Sequence, residues 1–202
     1  MQKLDLTKQD RAYYSQSAEP IIIELGVIPY LTIIGKGNPS GPEFASATEA
    51  LFTLAYAVKF LCKTQGQDFT VAKLEGAWWV DGGGSAIDVP RDEWHWKIRI
   101  RMPDFVTAAV VEDARPSAIA KKKDLSLLRD VTFEEITEGL CVQMLHVGPY
   151  ADEPTTMQRM HEFMDAEKLK RSQRYHIEVY LSDPRKGDPA KMKTIIRFPV
   201  AS

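Results

Sequence analysis

Two short stretches hold side chains whose types and spacing could do chemistry. In YHIEVYLS, residues 175–182, Glu178 stands between His176 and Tyr180; in LEGAWW, residues 74–79, Glu75 precedes two adjacent tryptophans. A carboxylate among aromatic rings is partly desolvated. Its proton affinity rises, which suits it to proton transfer or to pairing with a cation. Aromatic faces attract cations and stack on flat rings. Other reactive patterns are weak. The four histidines, His95, His146, His161 and His176, lack a ligand spacing such as HExxH, so no metal is expected. There is no GxSxG serine. GKGNPSG lacks the spacing of a phosphate loop and reads as a tight turn before a helix, so no cofactor is expected either.

Alternation decides which side chains can meet, because successive residues of a strand point to opposite faces. Ile177, Val179 and Leu181 form an apolar face that predicts packing against a helix. His176, Glu178, Tyr180 and Ser182 share the other face. A glutamate there is either a groove residue or a solvated residue on an open sheet, and alternation alone does not choose. In LEGAWW, Leu74 and Trp78 fall on one face, predicted to be core, and Glu75 and Trp79 on the other. In WHWKIRIRM, residues 94–102, His95, Lys97, Arg99 and Arg101 form a charged face, which predicts an edge strand with that face in water.

The elements that must position these residues occur twice in the same order. IIIELGVIPYLTIIG (21–35) is rich in β-branched residues and predicts a strand. EFASATEALFTLAYAVKFL (43–61) places Phe44, Ala47, Leu51, Leu54, Val58 and Leu61 on one face of a helix. Ser40, three residues before Glu43, has the spacing of a capping box. TVAKLEGAWWVD and WHWKIRIRM follow as strands, with GGGS (82–85) as a hairpin loop or groove lid between them. From Phe133 the order repeats: a strand FEEITEGLCVQMLHVG, a turn GPYADEPTT offering Asp152 or Thr155 as a cap, a helix MQRMHEFMDAEKL, then RYHIEVYLS and KTIIRFPV. The methionines of that helix are core by default. The chain therefore reads as one α+β domain: a βαββ repeat over about 21–103, a helical connector over about 104–130 with Pro116 breaking or kinking it, and a second repeat over about 131–202. Two units face to face leave a concave groove. Overlaying them on Glu75 and Glu178 predicts two carboxylates in it, walled by Trp79, Tyr180, Trp96, Tyr150 and Tyr30, with His146 at a strand end nearby.

Composition narrows the class. The formal net charge of −2 argues against a nucleic-acid partner, and KKK at Lys121–Lys123 reads as a solvated helix end. Cys62 and Cys141 read as reduced core thiols. The first residues, MQKLDLTKQD, lack the apolar stretch of a signal peptide, and no apolar run approaches the length of a membrane span. The cytoplasm is the expected location, with no membrane partner; protein partners and oligomeric state stay open.

The repeat, the GKGNP turn, LEGAWW, WHWKIRIRMPDF and YHIEVYLSDPR…KTIIRFPV together resemble stand-alone GyrI-like proteins over nearly the whole chain. The chain also resembles the drug-sensing module of bacterial multidrug regulators, although residues 1–20 are too few for a helix-turn-helix. The resemblance implies a duplicated SHS2-type βαββ fold with helices on the outer side and a ligand groove between the repeats. It also implies a glutamate on the groove floor, at Glu178. In the regulators that glutamate meets cationic aromatic drugs; some stand-alone members are cyclopropanoid cyclohydrolases, which detoxify DNA-alkylating compounds. Two functions follow as expectations. One is a metal- and cofactor-independent hydrolase with Glu178 and Tyr150 as catalytic groups, Glu75 in support, and Trp79, Trp96, Tyr180, His176, Tyr30 and His146 binding the ligand. The other is a module that only binds or sequesters flat aromatic molecules, with Glu178 as counter-charge.

Overall fold

The computed structural model describes residues 3–83, 89–183 and 188–202. Gly84 and Ser85 of the GGGS stretch, and residues 184–187 of the last connection, lie outside them. The elements are α1 (Leu6–Gln9), β1 (Ile21–Lys36), α2 (Pro42–Thr64), β2 (Leu74–Trp79), β3 (His95–Arg101), α3 (Ala108–Lys121), β4 (Thr132–Val147), α4 (Glu153–Ala166), β5 (Lys170–Arg171), β6 (His176–Tyr180) and β7 (Lys193–Ala201). Strand, helix, strand, strand thus occurs twice, around α2 and around α4.

The α+β architecture is a closed antiparallel barrel with its helices outside. Strands β4, β1, β3, β2, β6 and β7 are hydrogen-bonded in that order, and β7 pairs back onto β4 to close the ring; the short β5 pairs with β7. The two units meet along β2 and β6, where Gly76 pairs with Glu178, Ala77 with Ile177 and Trp78 with His176. Closure leaves β3 without a free edge, since it pairs with β1 on one side and β2 on the other.

That corrects the expectation of a charged strand face in water. Arg99 and Arg101 point into the barrel and are buried. Arg99 Nε donates to Glu75 Oε2 at 2.9 Å, and its guanidinium also pairs with Glu138. Arg197 Nη1 donates to Glu138 Oε2 at 3.2 Å and its Nε to Gln143 Oε1 at 3.0 Å. Burial pushes the Glu138 carboxyl up, but Arg99 and Arg197 outweigh it and hold the group below the usual carboxylate range. The segment after α1 completes this interior. Tyr13 is fully buried; its hydroxyl donates to Glu75 Oε1 at 2.6 Å and accepts from Tyr30 at 2.7 Å, while its carbonyl accepts from Arg197 at 3.1 Å.

Apolar residues fill the rest of the interior and the space under each helix. Ile177 and Val179 are buried inside the barrel, not under a helix as alternation alone suggested. Helix α2 lays Ala47, Leu51, Leu54 and Val58 into the main core. It is the one described helix long and apolar enough to cross a bilayer. Helix α4 covers a smaller core in which Met160 and Met164 meet Val142, Met144, Ile196 and Phe198. Cys62 and Cys141 are free and buried.

Two local expectations are not met, the capping box before α2 and the break at Pro116. Helix α2 starts at Pro42 with Gly41 as its N-cap and no side-chain cap, so Ser40 and Glu43 form no capping box; proline needs no donor partner in the first turn. Helix α3 runs unbroken through Pro116. Its N-terminus is capped by Thr107 Oγ, and Arg115 donates to the Val131 carbonyl at 2.9 Å, tying the helix to the start of β4.

Candidate functional site

The outer faces of β2 and β6 lie between α2 and α4, and neither helix covers them. A cavity of about 1310 Å³ opens there. That exceeds the roughly 300–1,000 Å³ of ordinary small-molecule pockets, so an extended ligand fits. Its floor comes from two strands. Trp78 of β2 and His176, Glu178 and Tyr180 of β6 share this face, because residues two apart on a strand do. Gly76, directly opposite Glu178, makes the close approach possible. A Cβ there would sit 2.6 Å from Trp78 Nε1 and 3.1 Å from the Tyr180 hydroxyl.

The polar atoms of the floor form a directed chain. Trp78 Nε1 donates to the Tyr180 hydroxyl at 2.8 Å, and that hydroxyl donates to Glu178 Oε2 at 2.8 Å. His176 Nε2 bonds Glu178 Oε1 at 2.8 Å. Burial, then the neighbouring Glu178 charge, raises the Tyr180 pKa well above its ordinary value, so the phenol stays a donor. The same two causes push Tyr150 up to about 12. Tyr150 meets Tyr180 edge to face, with ring centroids 6.0 Å apart.

The second carboxyl of the groove is Glu153, the first residue of α4. It is 6 % exposed, and its Oε1 has no hydrogen-bond partner among the described residues. A helix N-terminus favours negative charge. Here burial and then the adjacent Glu178 charge win. The Glu153 pKa lies well above the carboxylate range, so its carboxyl keeps a proton in the neighbourhood of Glu178. Two neighbouring buried carboxyls cannot both ionise without a large cost, which keeps a proton on one of them.

A pH dependence of stability follows. Unfolded, Glu153 loses its proton near its ordinary 4.5. Folded, it keeps the proton to much higher pH. Between those limits the folded chain binds more protons, so stability falls as pH rises, by up to about 1.4 kcal/mol per pH unit. Glu153→Gln, which mimics the neutral acid, should match the wild type below pH ~4. It should become more stable by about 1–3 kcal/mol toward pH 8. Urea unfolding across that range is the check; parallel curves for the two proteins would contradict the proton retained by Glu153.

The structure gathers Glu178, Tyr180, His176, Tyr150 and Trp79 around the groove, and leaves four other expected residues outside it. Glu75 is fully buried on the opposite face of β2, inside the barrel, held by Tyr13 and Arg99. In the strand register Glu178 lies opposite Gly76, one residue away from Glu75, and one residue reverses the face of a strand. Tyr30 is buried with Glu75, its ring 4.3 Å from the Arg99 guanidinium. Trp96 packs under α2 against Phe44, with its indole in the space that a side chain on Gly35 would fill. His146 is buried below the turn before α4. Its Nε2 donates to the Pro149 carbonyl at 3.1 Å, and its Nδ1 accepts from Thr156 Oγ at 2.9 Å. It thereby braces the turn that carries Tyr150 and Glu153.

The groove also contains residues the sequence reading did not select. Trp78, expected in the core, stacks on Phe44 at 5.6 Å and meets Trp94 edge to face at 6.1 Å, so one side packs and the other faces the cavity. Phe52 and Tyr56 enter from α2, and Met157 and His161 from α4. The α2 residues carried a usable signal: they fall beside the apolar stripe, where a helix flanks its own core face. Glu153 carried little, since an acid in the first helical turn is ordinary.

Comparison with known proteins places this geometry. Residues 104–201, which carry β4, α4, β6 and β7, match the GyrI-like small molecule binding domain. An uncharacterized conserved protein from Listeria innocua is 40 % identical, with a TM-score of 0.92 over 98 % of this chain and 100 % of its own. A hydrolase from Listeria innocua is 39 % identical, with a TM-score of 0.91 over 99 % of this chain and 100 % of its own. The EcmrR C-terminal domain shares the fold alone, at 12 % identity and a TM-score of 0.59 over 91 % of this chain and 97 % of its own. No curated protein matches the sequence. The shared barrel and the matched second repeat lead to one assignment: the chain belongs to the GyrI-like family of small-molecule-binding proteins.

Proposed function

We propose that the groove binds flat aromatic compounds and hydrolyses those bearing a strained, electrophilic cyclopropane. The observation that carries this reading is Glu178, held by His176 and the Tyr180 phenol on an aromatic floor, with the buried carboxyl of Glu153 in the same groove. Water opening a cyclopropane conjugated to a carbonyl needs three things: a group that takes a proton from the water, a donor for the oxygen where charge develops, and exclusion of bulk solvent. In this reading Glu178 takes the water proton as the water oxygen bonds to a ring carbon. The ring C–C bond breaks, and its electron pair moves through the conjugated system to the carbonyl oxygen. That oxygen accepts a hydrogen bond from Tyr150 and then a proton, so the net change is addition of one water. Glu153 keeps its own proton and so does not compete as the base. The similarity to the Listeria innocua hydrolase over the full chain supports this reading.

A second reading, binding without turnover, is favoured by the occupancy of Glu178. Oε1 bonds His176 and Oε2 accepts from Tyr180, which suits a fixed counter-charge to an aromatic cation. Calorimetric titration with a planar aromatic cation such as ethidium, and with a neutral ring system of similar size, separates the two roles. If Glu178 acts as a counter-charge, Glu178→Gln should weaken the cation about tenfold or more and leave the neutral compound within about twofold. Equal losses for both ligands would exclude a charge-specific role.

A further inference from the structure

The groove is electrically two-sided. Its opposite lip carries Arg171, in β5, and Arg174, just before β6. Each guanidinium lies over an aromatic ring of the groove: Arg171 4.9 Å from the centre of Phe198, and Arg174 5.6 Å from that of Trp79. Among the described residues neither forms a direct ion pair with a carboxylate; Arg174 acts on Asp81 only at longer range, where it adds to His95 in lowering that carboxyl. Arg171 is held in place, since its Nη2 donates to the Arg174 carbonyl at 2.8 Å; its other N–H groups stay available. The nearby His161 adds no further positive charge to this lip. Burial, then Arg171 itself, holds it below its ordinary pKa and favours its neutral form, against a smaller opposing effect of Asp165.

The two sides share one floor. Phe198 lies under Arg171 and is 6.0 Å from the ring of His176, which in turn bonds Glu178. A flat molecule on that floor would present one end to Glu178 and the other to the two guanidiniums.

We infer that Arg171 and Arg174 form an anion subsite, so that the groove takes flat aromatic ligands bearing a carboxylate, sulfonate or phosphate at the end remote from Glu178. A guanidinium over an aromatic ring can bind an oxyanion edge-on while its face stays on the ring. The inference rests on the groove being the ligand site, but not on Glu178 doing chemistry there.

Two fluorescent probes of similar size test it: 8-anilinonaphthalene-1-sulfonate and the uncharged N-phenyl-1-naphthylamine. The double variant Arg171→Gln/Arg174→Gln should weaken the sulfonate about five- to tenfold at low salt and leave the neutral probe within about twofold. Added salt should weaken the sulfonate in the wild type and much less in the variant. Arg171→Lys/Arg174→Lys should recover part of the loss, which separates lost charge from a distorted lip. An unchanged sulfonate affinity, or equal losses for both probes, would overturn the subsite. A wild type that binds the neutral probe but not the sulfonate would overturn the subsite alone; a wild type that binds neither would overturn the groove reading as well.

Discussion

Glu178→Gln is expected to lower turnover of a cyclopropane-bearing substrate about 10²- to 10⁴-fold, the usual contribution of a positioned general base. The amide keeps the size of the acid and can still accept from Tyr180, so the floor should stay packed. It cannot take a proton from water. The change should fall on kcat rather than KM for a neutral substrate, because the lost interaction forms only as the water proton moves. Steady-state kinetics on the purified variant, with thermal unfolding as a folding control, is the check. Turnover within about threefold of wild type would remove Glu178 as the base. Gly76→Ala is a useful companion, because its Cβ would press on Trp78 and on the Tyr180 hydroxyl that holds Glu178, without removing the carboxylate.

The largest effect on stability is expected far from the groove. Glu138→Ala removes the carboxylate that Arg99 and Arg197 share in the barrel interior. Both guanidiniums are fully enclosed, and neither can turn toward water. Removing one partner of a buried ionic network costs about 3–5 kcal/mol, because the remaining charge keeps its desolvation penalty without its pairing energy. Glu75 and Gln143 still hold one side of each arginine, which places the effect within that range. Against a typical total of about 5–15 kcal/mol, this removes a large share of the stability. Urea unfolding should show the midpoint fall with little change in slope. A loss under about 1 kcal/mol would mean that the network contributes little to holding the barrel closed.

Much of the fold was legible because it rests on local patterns. The apolar face of α2 and the alternation in β6 named the elements and their order. The interior of the barrel was not legible in the same way. In β3, alternation correctly separated Arg99 and Arg101 from Ile98 and Ile100, but assigned the charged face to water. Their partners Glu75, Glu138 and Asp10 come from distant parts of the chain, and only closure of the ring brings them together. For the site, alternation in β6 gathered His176, Glu178 and Tyr180 correctly. It could not align β2 with β6, and the position opposite Glu178 is Gly76, a residue with no side chain to notice. Glu153 reaches the groove through a turn braced by His146, a geometry without a periodic signature.

Addition of water to a strained aromatic electrophile in this groove is tested most directly by incubating the wild-type protein with a cyclopropane-bearing alkylating compound in water enriched in oxygen-18 and following the products by mass spectrometry. Multiple turnovers to a ring-opened product that carries one labelled oxygen are expected. Recovery of the compound intact, whether free or bound at one molecule per groove, would contradict the hydrolytic account.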